Sequence, residues 1–229
     1  MLHDDGQEAP TPIQSLNEDK VLGLDMGLTH LAIDSSGTKE PNPRFLKKAS
    51  ANLRRKQKAV SRCKKGSKRR AKARLKLAKA HQRLANARAD FQHKLSRQLI
   101  DENQAVIVET LKVKNMLKNK KLSKHIADAS WSGVIEKLEY KAKAQGKHLI
   151  KIDQWLASSK TCSCCGHKLE ELSLKVREWQ CPACSVRHDR DIDAALNIKA
   201  QGILKLKAAG LSVSANGGKR KTSHALAAA

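Results

Sequence analysis

Short apolar runs separated by longer charged stretches set the pattern of this chain, and the runs predict the strands of an α/β fold. Residues 21–28 form an apolar run with small residues inside it, which is typical of a buried strand. Residues 31–34 follow after two intervening residues and lead into a Ser-Ser-Gly turn, so the two runs together predict a β-hairpin. Residues 105–108 and 148–152 predict two further strands.

Helical spacing of apolar residues marks three other segments. Within residues 44–97 a polar stretch around Gly66 interrupts this spacing, so we expect two basic helices with a break between them. Residues 126–145 and 191–206 each predict an amphipathic helix. The basic stretch 112–124 predicts a loop.

The two ends of the chain lack any periodic pattern. Residues 1–18 are polar and contain two prolines, which predicts a flexible leader, and residues 211–229 predict a disordered tail. A membrane is not an expected partner, because the chain has no apolar run of about 18 residues. A secretory signal is not expected either, since no basic region followed by an apolar stretch stands at the N-terminus.

The charge of the chain points to a polyanionic partner. The sequence has 46 Lys and Arg residues against 22 Asp and Glu, a formal net charge of +24. Of these basic residues, 21 lie within residues 44–97 together with a single acid, which favours nucleic acid over a merely solvated basic face. One Tyr and two Phe argue against a base-stacking platform, so contact should run mainly through phosphates. The candidate nucleic-acid-binding residues are Arg54, Arg55, Lys58, Arg62, Lys68, Arg69, Arg70, Arg74, Lys118, Lys120 and Lys121.

Two CxxC pairs in the last third of the chain predict a structural zinc site. The pairs are Cys162/Cys165 and Cys181/Cys184, and fifteen residues separate them. Four thiolates can surround one zinc ion and leave no open coordination position. Disulfides or free buried thiols are the alternative, and Cys164 is a surplus thiol next to the first pair.

Three acids interrupt or border the predicted elements and are candidates for a catalytic metal site. Asp25 lies inside an apolar run, Glu109 ends another run, and Asp191 opens the last predicted helix. A carboxylate in a buried strand is unfavourable unless it is paired or binds a metal. If the three converge, they suit Mg²⁺ or Mn²⁺ and phosphodiester hydrolysis with two ions. The alternatives are a turn aspartate, a strand-end surface acid and a helix N-cap, and Asp189 and Asp193 compete with Asp191.

A series of short motifs makes the chain similar to a known family. In chain order the motifs are residues 23–28, 42–46, 65–67, 90–96, 108–109, 126–131, 138–142, 158–162, 176–179 and the segment around Asp191. They resemble, in the same order, the C-terminal part of TnpB (OrfB), the transposon-encoded relative of type V CRISPR nucleases. The resemblance extends from about residue 20 to about residue 205.

The resemblance implies an RNase H-like (RuvC-type) mixed sheet with flanking helices, a basic helical insertion and an inserted four-cysteine zinc ribbon. The expected layout is a leader at 1–18, a nuclease core at 19–159 with the basic insertion at 44–101, the ribbon at 160–187, the last nuclease segment at 188–210 and a tail at 211–229.

The resemblance also assigns roles to residues. It places the family's three catalytic, Mg²⁺- or Mn²⁺-binding acids on Asp25, Glu109 and Asp191, and its structural zinc ligands on the four cysteines of the CxxC pairs. Asp193 departs from the family pattern, which usually has Asn there, and an extra carboxylate beside the metals could change ion affinity or the local pKa values. Ser185 stands where Gly commonly follows the last cysteine.

We therefore expect a Mg²⁺-dependent endodeoxyribonuclease of the TnpB type, acting in the prokaryotic cytoplasm on the nucleoid. Its expected partners are DNA and a guide RNA or an RNA–DNA duplex. The resemblance does not extend to the family's N-terminal half, which holds the guide and recognises the target-adjacent motif. A natural truncation, a decayed transposon copy and one piece of a split protein are the alternatives, and in the last case a separate chain would supply that half. The alternative is a catalytically silent transposon remnant that binds nucleic acid, and only the enzyme should cut DNA in a metal-dependent way.

Overall fold

The computed structural model describes residues 10–173 and 175–215 of the chain. Strands and α-helices alternate along this part. In chain order they are β1 (Ser15–Asn17), β2 (Val21–Met26), β3 (His30–Asp34), β4 (Lys39–Pro41), α1 (Phe45–Ser61), α2 (Lys68–Glu102), β5 (Ala105–Glu109), α3 (Val113–Met116), α4 (Ser123–Ala129), α5 (Trp131–Ala144), β6 (His148–Ile152), β7 (Glu178–Gln180), β8 (Arg187–Asp189), α6 (Arg190–Ala208) and β9 (Ser212–Ser214).

A five-stranded mixed sheet forms the centre of the fold, with the strand order β4-β3-β2-β5-β6. Strands β2, β5 and β6 are parallel, whereas β3 and β4 run antiparallel to their neighbours. The connection from β2 to β5 contains β3, β4, α1 and α2, and the connection from β5 to β6 contains α3, α4 and α5. Parallel strands require long crossovers of this kind. The predicted α/β class, the β2–β3 hairpin and the two later strands are therefore confirmed. Strand β4 escaped prediction because its sequence, Lys-Glu-Pro, has no apolar residue.

Both faces of the sheet carry a hydrophobic core. Successive residues of a strand point to opposite faces. Leu24 and Val108 therefore pack on one face with apolar residues of α2, α4 and α5. Val21 and Ile107 pack on the other face with Ile198 and its neighbours in α6. The sheet is thus the middle layer between α6 and the other helices.

Helix α6 lies directly on the sheet because two glycines permit close contact. A Cβ atom at Gly23 in β2 would overlap the backbone carbonyl of Ala195 and would lie 2.6 Å from the backbone nitrogen of Lys199. A Cβ atom at Gly202 in α6 would overlap the side chain of Ile107 in β5. These two contacts fix the helix across β2 and β5.

The basic segment folds as a helical hairpin, and the predicted break near Gly66 is confirmed. Helix α1 ends at Ser61, and α2 begins after Ser67, whose hydroxyl caps the helix by accepting a hydrogen bond from the Arg70 N–H at 3.2 Å. Gly66 adopts the left-handed backbone conformation, with φ of 81°, that the turn requires.

Asp128 of α4 holds the base of this hairpin. Its carboxylate accepts hydrogen bonds from the backbone N–H of Leu46 in α1 at 3.0 Å and from the guanidinium of Arg88 in α2 at 2.9 Å. Phe45 and Phe91 meet edge to face beside it, with ring centroids 6.0 Å apart. The two basic helices are therefore attached to the sheet domain at one end only and project from it.

Two predicted boundaries differ from the structure. The stretch 112–124, predicted as a loop, contains the single turn α3 and the start of α4. The helix predicted over 126–145 is broken at Ser130, which has φ of 50° and separates α4 from α5. The carbonyl of Ser130 accepts a hydrogen bond from Gln92 of α2 at 3.1 Å, and the next residue, Trp131, is buried. Contacts with α2, which periodicity does not record, set this break.

The structure also differs from the predicted leader and tail. Residues 15–17 form β1, which pairs in parallel with β9 at residues 212–214, and Leu16 is buried beneath them. Pairing between opposite ends of a chain leaves no local sequence signal. The parts of the predicted leader and tail before residue 10 and after residue 215 lie outside the described residues. Within the described residues, no helix is both long enough and apolar enough to cross a membrane.

Candidate functional site

Asp25 and Glu109 lie side by side at one edge of the sheet. Leu24 pairs with Val108 in the parallel register of β2 and β5, and Asp25 and Glu109 are the next residues along these two strands. Because Leu24 and Val108 face α2 and α5, the two acids point to the opposite face, the one that α6 covers.

Asp191 approaches this pair from the first turn of α6. It lies one helical turn before Ala195, whose carbonyl contacts Gly23. Asp25 lies two residues after Gly23 on the same face of β2. The contact between helix and strand therefore directs Asp191 towards Asp25, and the structure brings together all three acids that the sequence singled out.

The electrostatics of the group support this arrangement. Burial raises the pKa of Asp25 to about 7, the carboxylates of Glu109 and Asp191 add to the increase, and Arg190 opposes it. Burial also raises the pKa of Glu109, although the Ser158 hydroxyl counteracts this by donating a hydrogen bond to its Oε1 at 3.3 Å. A cation would relieve the repulsion that Glu109 and Asp191 exert on Asp25, and hard carboxylate oxygens suit Mg²⁺ or Mn²⁺.

Two arginines hold the Asp191 side chain. The Nη2 of Arg190 lies 2.8 Å from Oδ1, and the Nη1 of Arg177 lies 3.1 Å from Oδ2. Arg177 directly precedes β7 in the cysteine module. The cysteine module therefore contacts the acidic edge of the sheet.

The three aspartates near the start of α6 have three different environments. Asp189 is the N-cap, because its Oδ1 accepts hydrogen bonds from the N–H groups of Asp191 and Ile192, both at 3.1 Å. Asp193 is buried against the cysteine module. The expectation that Asp193 adds a carboxylate beside the catalytic metals is therefore wrong, and of the three competing aspartates Asp191 is the one that faces Asp25.

Four cysteines converge in the module, as predicted. The sulfur atoms of Cys162 and Cys184 lie 3.6 Å apart, those of Cys165 and Cys181 also lie 3.6 Å apart, and all four fall within 4.8 Å of one another. Sulfurs arranged tetrahedrally around zinc at ~2.3 Å would be separated by ~3.8 Å, so the set fits a zinc ion. In the described part of the chain no other group of three or more His, Cys, Asp or Glu residues brings its ligand atoms within 4.8 Å of one another. The carboxylates of Asp25, Glu109 and Asp191 are therefore farther apart than the four sulfur atoms. Cys164 is exposed and lies outside the group.

Each CxxC pair forms a tight backbone turn around its sulfurs. The N–H of Gly166 donates to the carbonyl of Cys162 at 2.9 Å, and the N–H of Ser185 donates to the carbonyl of Cys181 at 2.9 Å. Both turn residues are left-handed, with φ of 77° at Gly166 and 59° at Ser185. Burial opposes ionisation of Cys181, but backbone N–H groups of its turn lower its pKa to about 7.

His188 and Asp193 connect the cysteine cluster to α6. The Nε2 of His188 lies 3.1 Å from the sulfur of Cys162, and its Nδ1 lies 3.0 Å from Oδ1 of Asp193. The same Oδ1 accepts a hydrogen bond from the N–H of Ser163 at 3.0 Å. The two ring nitrogens of His188 therefore link the sulfur of Cys162 to the carboxyl group of Asp193. Trp179 stacks against the ring, with centroids 4.9 Å apart.

The predicted nucleic-acid-binding residues lie on α1, on α2 and in the loop between α3 and α4. All of them are exposed except Arg70, which is half-buried. Arg62 and Arg69 line a cleft of about 700 Å³ between α1 and α2. The segment that follows β5 carries Lys118, Lys120 and Lys121, in the loop after α3. Strand β5 itself ends at Glu109 of the acidic edge.

Two family models match the chain. A model described as a probable transposase, OrfB of the IS605 type, matches residues 7–120, and a model described as the Cas12f1-like TNB domain matches residues 131–198. A solved Cas12f1 structure, in complex with sgRNA and target DNA, aligns with 84% of this chain and 51% of its own, with a TM-score of 0.58. Because the identity is 16%, this likeness concerns the fold.

Relatives in sequence agree with the family models. A Streptomyces pristinaespiralis protein, named as a candidate RNA-guided DNA endonuclease, is 47% identical over 80% of this chain and 45% of its own length. A Mycobacterium tuberculosis protein with the same kind of name is 35% identical over 79% of this chain and 41% of its own. The family models and these relatives therefore place the chain in a transposon-associated protein family. The chain belongs to the TnpB family, and it spans somewhat less than half the length of these two relatives.

Sequence reasoning missed four side chains that contact the two sites. Ser158 and Arg177 lie within the motifs that carry the family resemblance, so their motifs were the available signal. Arg190 and His188 flank the Asp189 cap, and nothing in their spacing indicates that one contacts an acid and the other a sulfur.

Proposed function

We propose that this chain is the RuvC-like nuclease core of a TnpB-type endonuclease that hydrolyses DNA phosphodiesters with divalent metal ions. The observation that carries the proposal is the meeting of Asp25, Glu109 and Asp191 on the α6 face of the sheet, with the pKa of Asp25 raised to about 7. The mixed sheet, which starts with an antiparallel hairpin and continues with parallel strands, supports the RuvC-like assignment.

The three carboxylates would hold Mg²⁺ or Mn²⁺ at the edge of the sheet. When bound, the ions would activate the attacking water and stabilise the leaving oxygen of the phosphodiester. Asp25 would contribute to the binding of these ions together with both other acids, because the charges of Glu109 and Asp191 both act on its carboxylate. Ser158 orients Glu109, and Arg177 and Arg190 hold Asp191 at the edge where the strand would pass. The four cysteines would hold a structural zinc ion.

The basic hairpin α1–α2 and the lysines after β5 would bind the nucleic acid through its phosphates. A surface of exposed Lys and Arg with few acids gives affinity and positioning, while sequence choice requires base contacts. We propose that DNA is the substrate and that a guide RNA or an RNA–DNA duplex is held on this surface. Since the substrate is DNA, the proposed place of action is the prokaryotic nucleoid.

The test is a cleavage assay on labelled single-stranded and double-stranded DNA with Mg²⁺ or with EDTA. We expect Mg²⁺-dependent cutting that Asp25→Ala abolishes while nucleic-acid binding persists. Asp90→Ala is the matched control, because Asp90 is an exposed acid of α2 paired with Lys94 and lies away from the site. Cutting by Asp25→Ala at the parent rate would refute the assignment. Tight, salt-sensitive binding without any cutting by the parent would instead support a catalytically silent binding protein.

A further inference from the structure

One exposed aromatic side chain lies beside the acidic edge of the sheet. Trp155, in the loop that follows β6, is 80% exposed, whereas Trp131 and Trp179 are 2% and 7% exposed. These are the three tryptophans of the chain. Tryptophan is enriched at binding surfaces because its flat ring offers a large contact area. The indole of Trp155 is therefore available to a ligand.

The loop that carries Trp155 contacts Glu109 at both of its ends. Ile152 pairs with Glu109 across β5 and β6, and Ser158 donates its hydroxyl to the Glu109 carboxylate. Trp155 lies midway, three residues from each. Because three residues span at most ~11 Å, its backbone remains within a few nucleotides' length of the acidic site. The turn is held by Asp153, whose Oδ1 accepts a hydrogen bond from the Trp155 N–H at 2.9 Å.

A lysine completes the surface. The Nζ of Lys112 lies 5.6 Å from the centroid of the Trp155 ring, within the range of a cation–π contact. Lys112 follows Glu109 by three residues, so both side chains belong to loops at the carboxyl ends of neighbouring parallel strands. An exposed aromatic face next to a cation matches a single nucleic-acid strand, which presents a base to stack and a phosphate to neutralise.

We propose that Trp155 stacks on an unpaired base of the DNA strand that enters the acidic site and that Lys112 contacts a neighbouring phosphate. The placement of this strand rests on the proposed nuclease function, but the binding itself does not require cutting. The low aromatic content excludes an extended stacking platform, and Trp155 provides a platform for one base. Duplex DNA, whose bases are already stacked, would not use it.

The test uses the intrinsic fluorescence of the zinc-loaded chain in buffer without Mg²⁺, titrated with a mixed-sequence single-stranded 20-nucleotide DNA. We expect the DNA to quench emission and to protect it from acrylamide, since Trp155 is the accessible indole. Trp155→Ala should weaken single-strand binding roughly 5-fold to 150-fold, the range that stacking on one base provides. Trp155→Phe should retain most of the affinity, and duplex binding should not change. Leu204→Ala, which removes an exposed apolar side chain of α6, is the control and should bind like the parent.

Salt dependence separates the two contacts. Stacking releases no counterions, so Trp155→Ala should leave the slope of log K against log salt unchanged, whereas Lys112→Ala should reduce it by about 0.7. The proposal is overturned if Trp155→Ala binds single strands within twofold of the parent or loses single-strand and duplex affinity equally. Because the readout is binding, a parent that fails to cut DNA refutes the nuclease proposal without affecting this one.

Discussion

His188→Ala should destabilise the zinc-bound protein by about 2–4 kcal/mol, because it removes a hydrogen-bond partner of the buried Asp193 and leaves a cavity where the imidazole packed. His188 and Asp193 are both buried, and Asp193 is 1% exposed. Among the described residues the Oδ2 atom of Asp193 has no hydrogen-bond partner, so the buried carboxyl group is stabilised by the hydrogen bonds that Oδ1 accepts. Without the imidazole, Oδ1 would retain the N–H of Ser163.

Asp193→Asn is the informative counterpart. The amide oxygen of Asn can still accept hydrogen bonds from His188 and Ser163, and its NH₂ group replaces the unpartnered Oδ2. This change should therefore alter the free energy of unfolding by no more than about 1 kcal/mol. Each kcal/mol corresponds to about 2–4 °C in a domain of this size, so His188→Ala should lower Tm by roughly 4–16 °C and Asp193→Asn by less than about 4 °C.

Thermal unfolding followed by circular dichroism measures these changes, and transfer of zinc to a coloured chelator measures retention of the metal. His188→Ala should release zinc faster, because Cys162 loses its hydrogen-bond donor, and such outer partners typically account for about 10- to 100-fold in metal affinity. His167→Ala is the control, since His167 is an exposed residue of the first cysteine turn that takes part through its backbone. A His188→Ala protein that melts within 2 °C of the parent and keeps its zinc as long would refute the reasoning.

Three further changes test other parts of the structure. The pKa of Asp25 at about 7 lies above its ordinary 3.8, so the folded state holds this proton more tightly than the unfolded state; stability of the protein without Mg²⁺ should fall as pH rises from about 4 to about 7. Asp25→Asn should remove that fall: in urea titrations the variant and the parent should be equally stable at pH 4, and the variant should be more stable by about 2–4 kcal/mol at pH 8. Added Mg²⁺ should narrow this difference, and parallel pH profiles of the two proteins would contradict the prediction. Ser185→Gly should stabilise the cysteine module by about 1–2 kcal/mol and slow zinc release, because Ser185 is left-handed; unchanged or faster release would contradict this. Gly23→Ala should lower Tm sharply or prevent folding, because its methyl group would overlap the Ala195 carbonyl. The control Ala200→Gly, on the exposed side of α6, should lower the free energy of unfolding by about 1 kcal/mol. Equal Tm values for the two variants would contradict the close contact.

The strands and the acids were predictable because both depend on local pattern. The apolar runs of β2 and β5 are short and buried on both faces, and a single acid within or after such a run stands out. The same period of two that buries Leu24 and Val108 on one face assigns Asp25 and Glu109 to the other. Spacing in the CxxC pairs likewise specifies ligands that need only a tight turn to converge.

Features that depend on distant contacts left no such signal. Pairing of β1 with β9 joins the two ends of the chain, and the break at Ser130 depends on Gln92 in another helix. The environment of Asp193 was misjudged for a related reason. Proximity in sequence to Asp191 suggested a shared site, but a helix turns about 100° per residue, so side chains two positions apart point to nearly opposite sides.

Because Asp191 and Asp193 point to nearly opposite sides of α6, this helix connects the two candidate metal sites. One side of its first turn directs Asp191 to the acidic edge, while the other side directs Asp193 to the cysteine cluster. Arg177 of the cysteine module reaches back to Asp191, so the module contacts the acid by two routes, one through the helix and one directly. An Asn at position 193 would keep the oxygen that accepts the hydrogen bonds from the module. The requirement at this position is therefore a buried acceptor for His188 and Ser163, through which a zinc ion held by the four cysteines would fix the start of α6 and with it the position of Asp191.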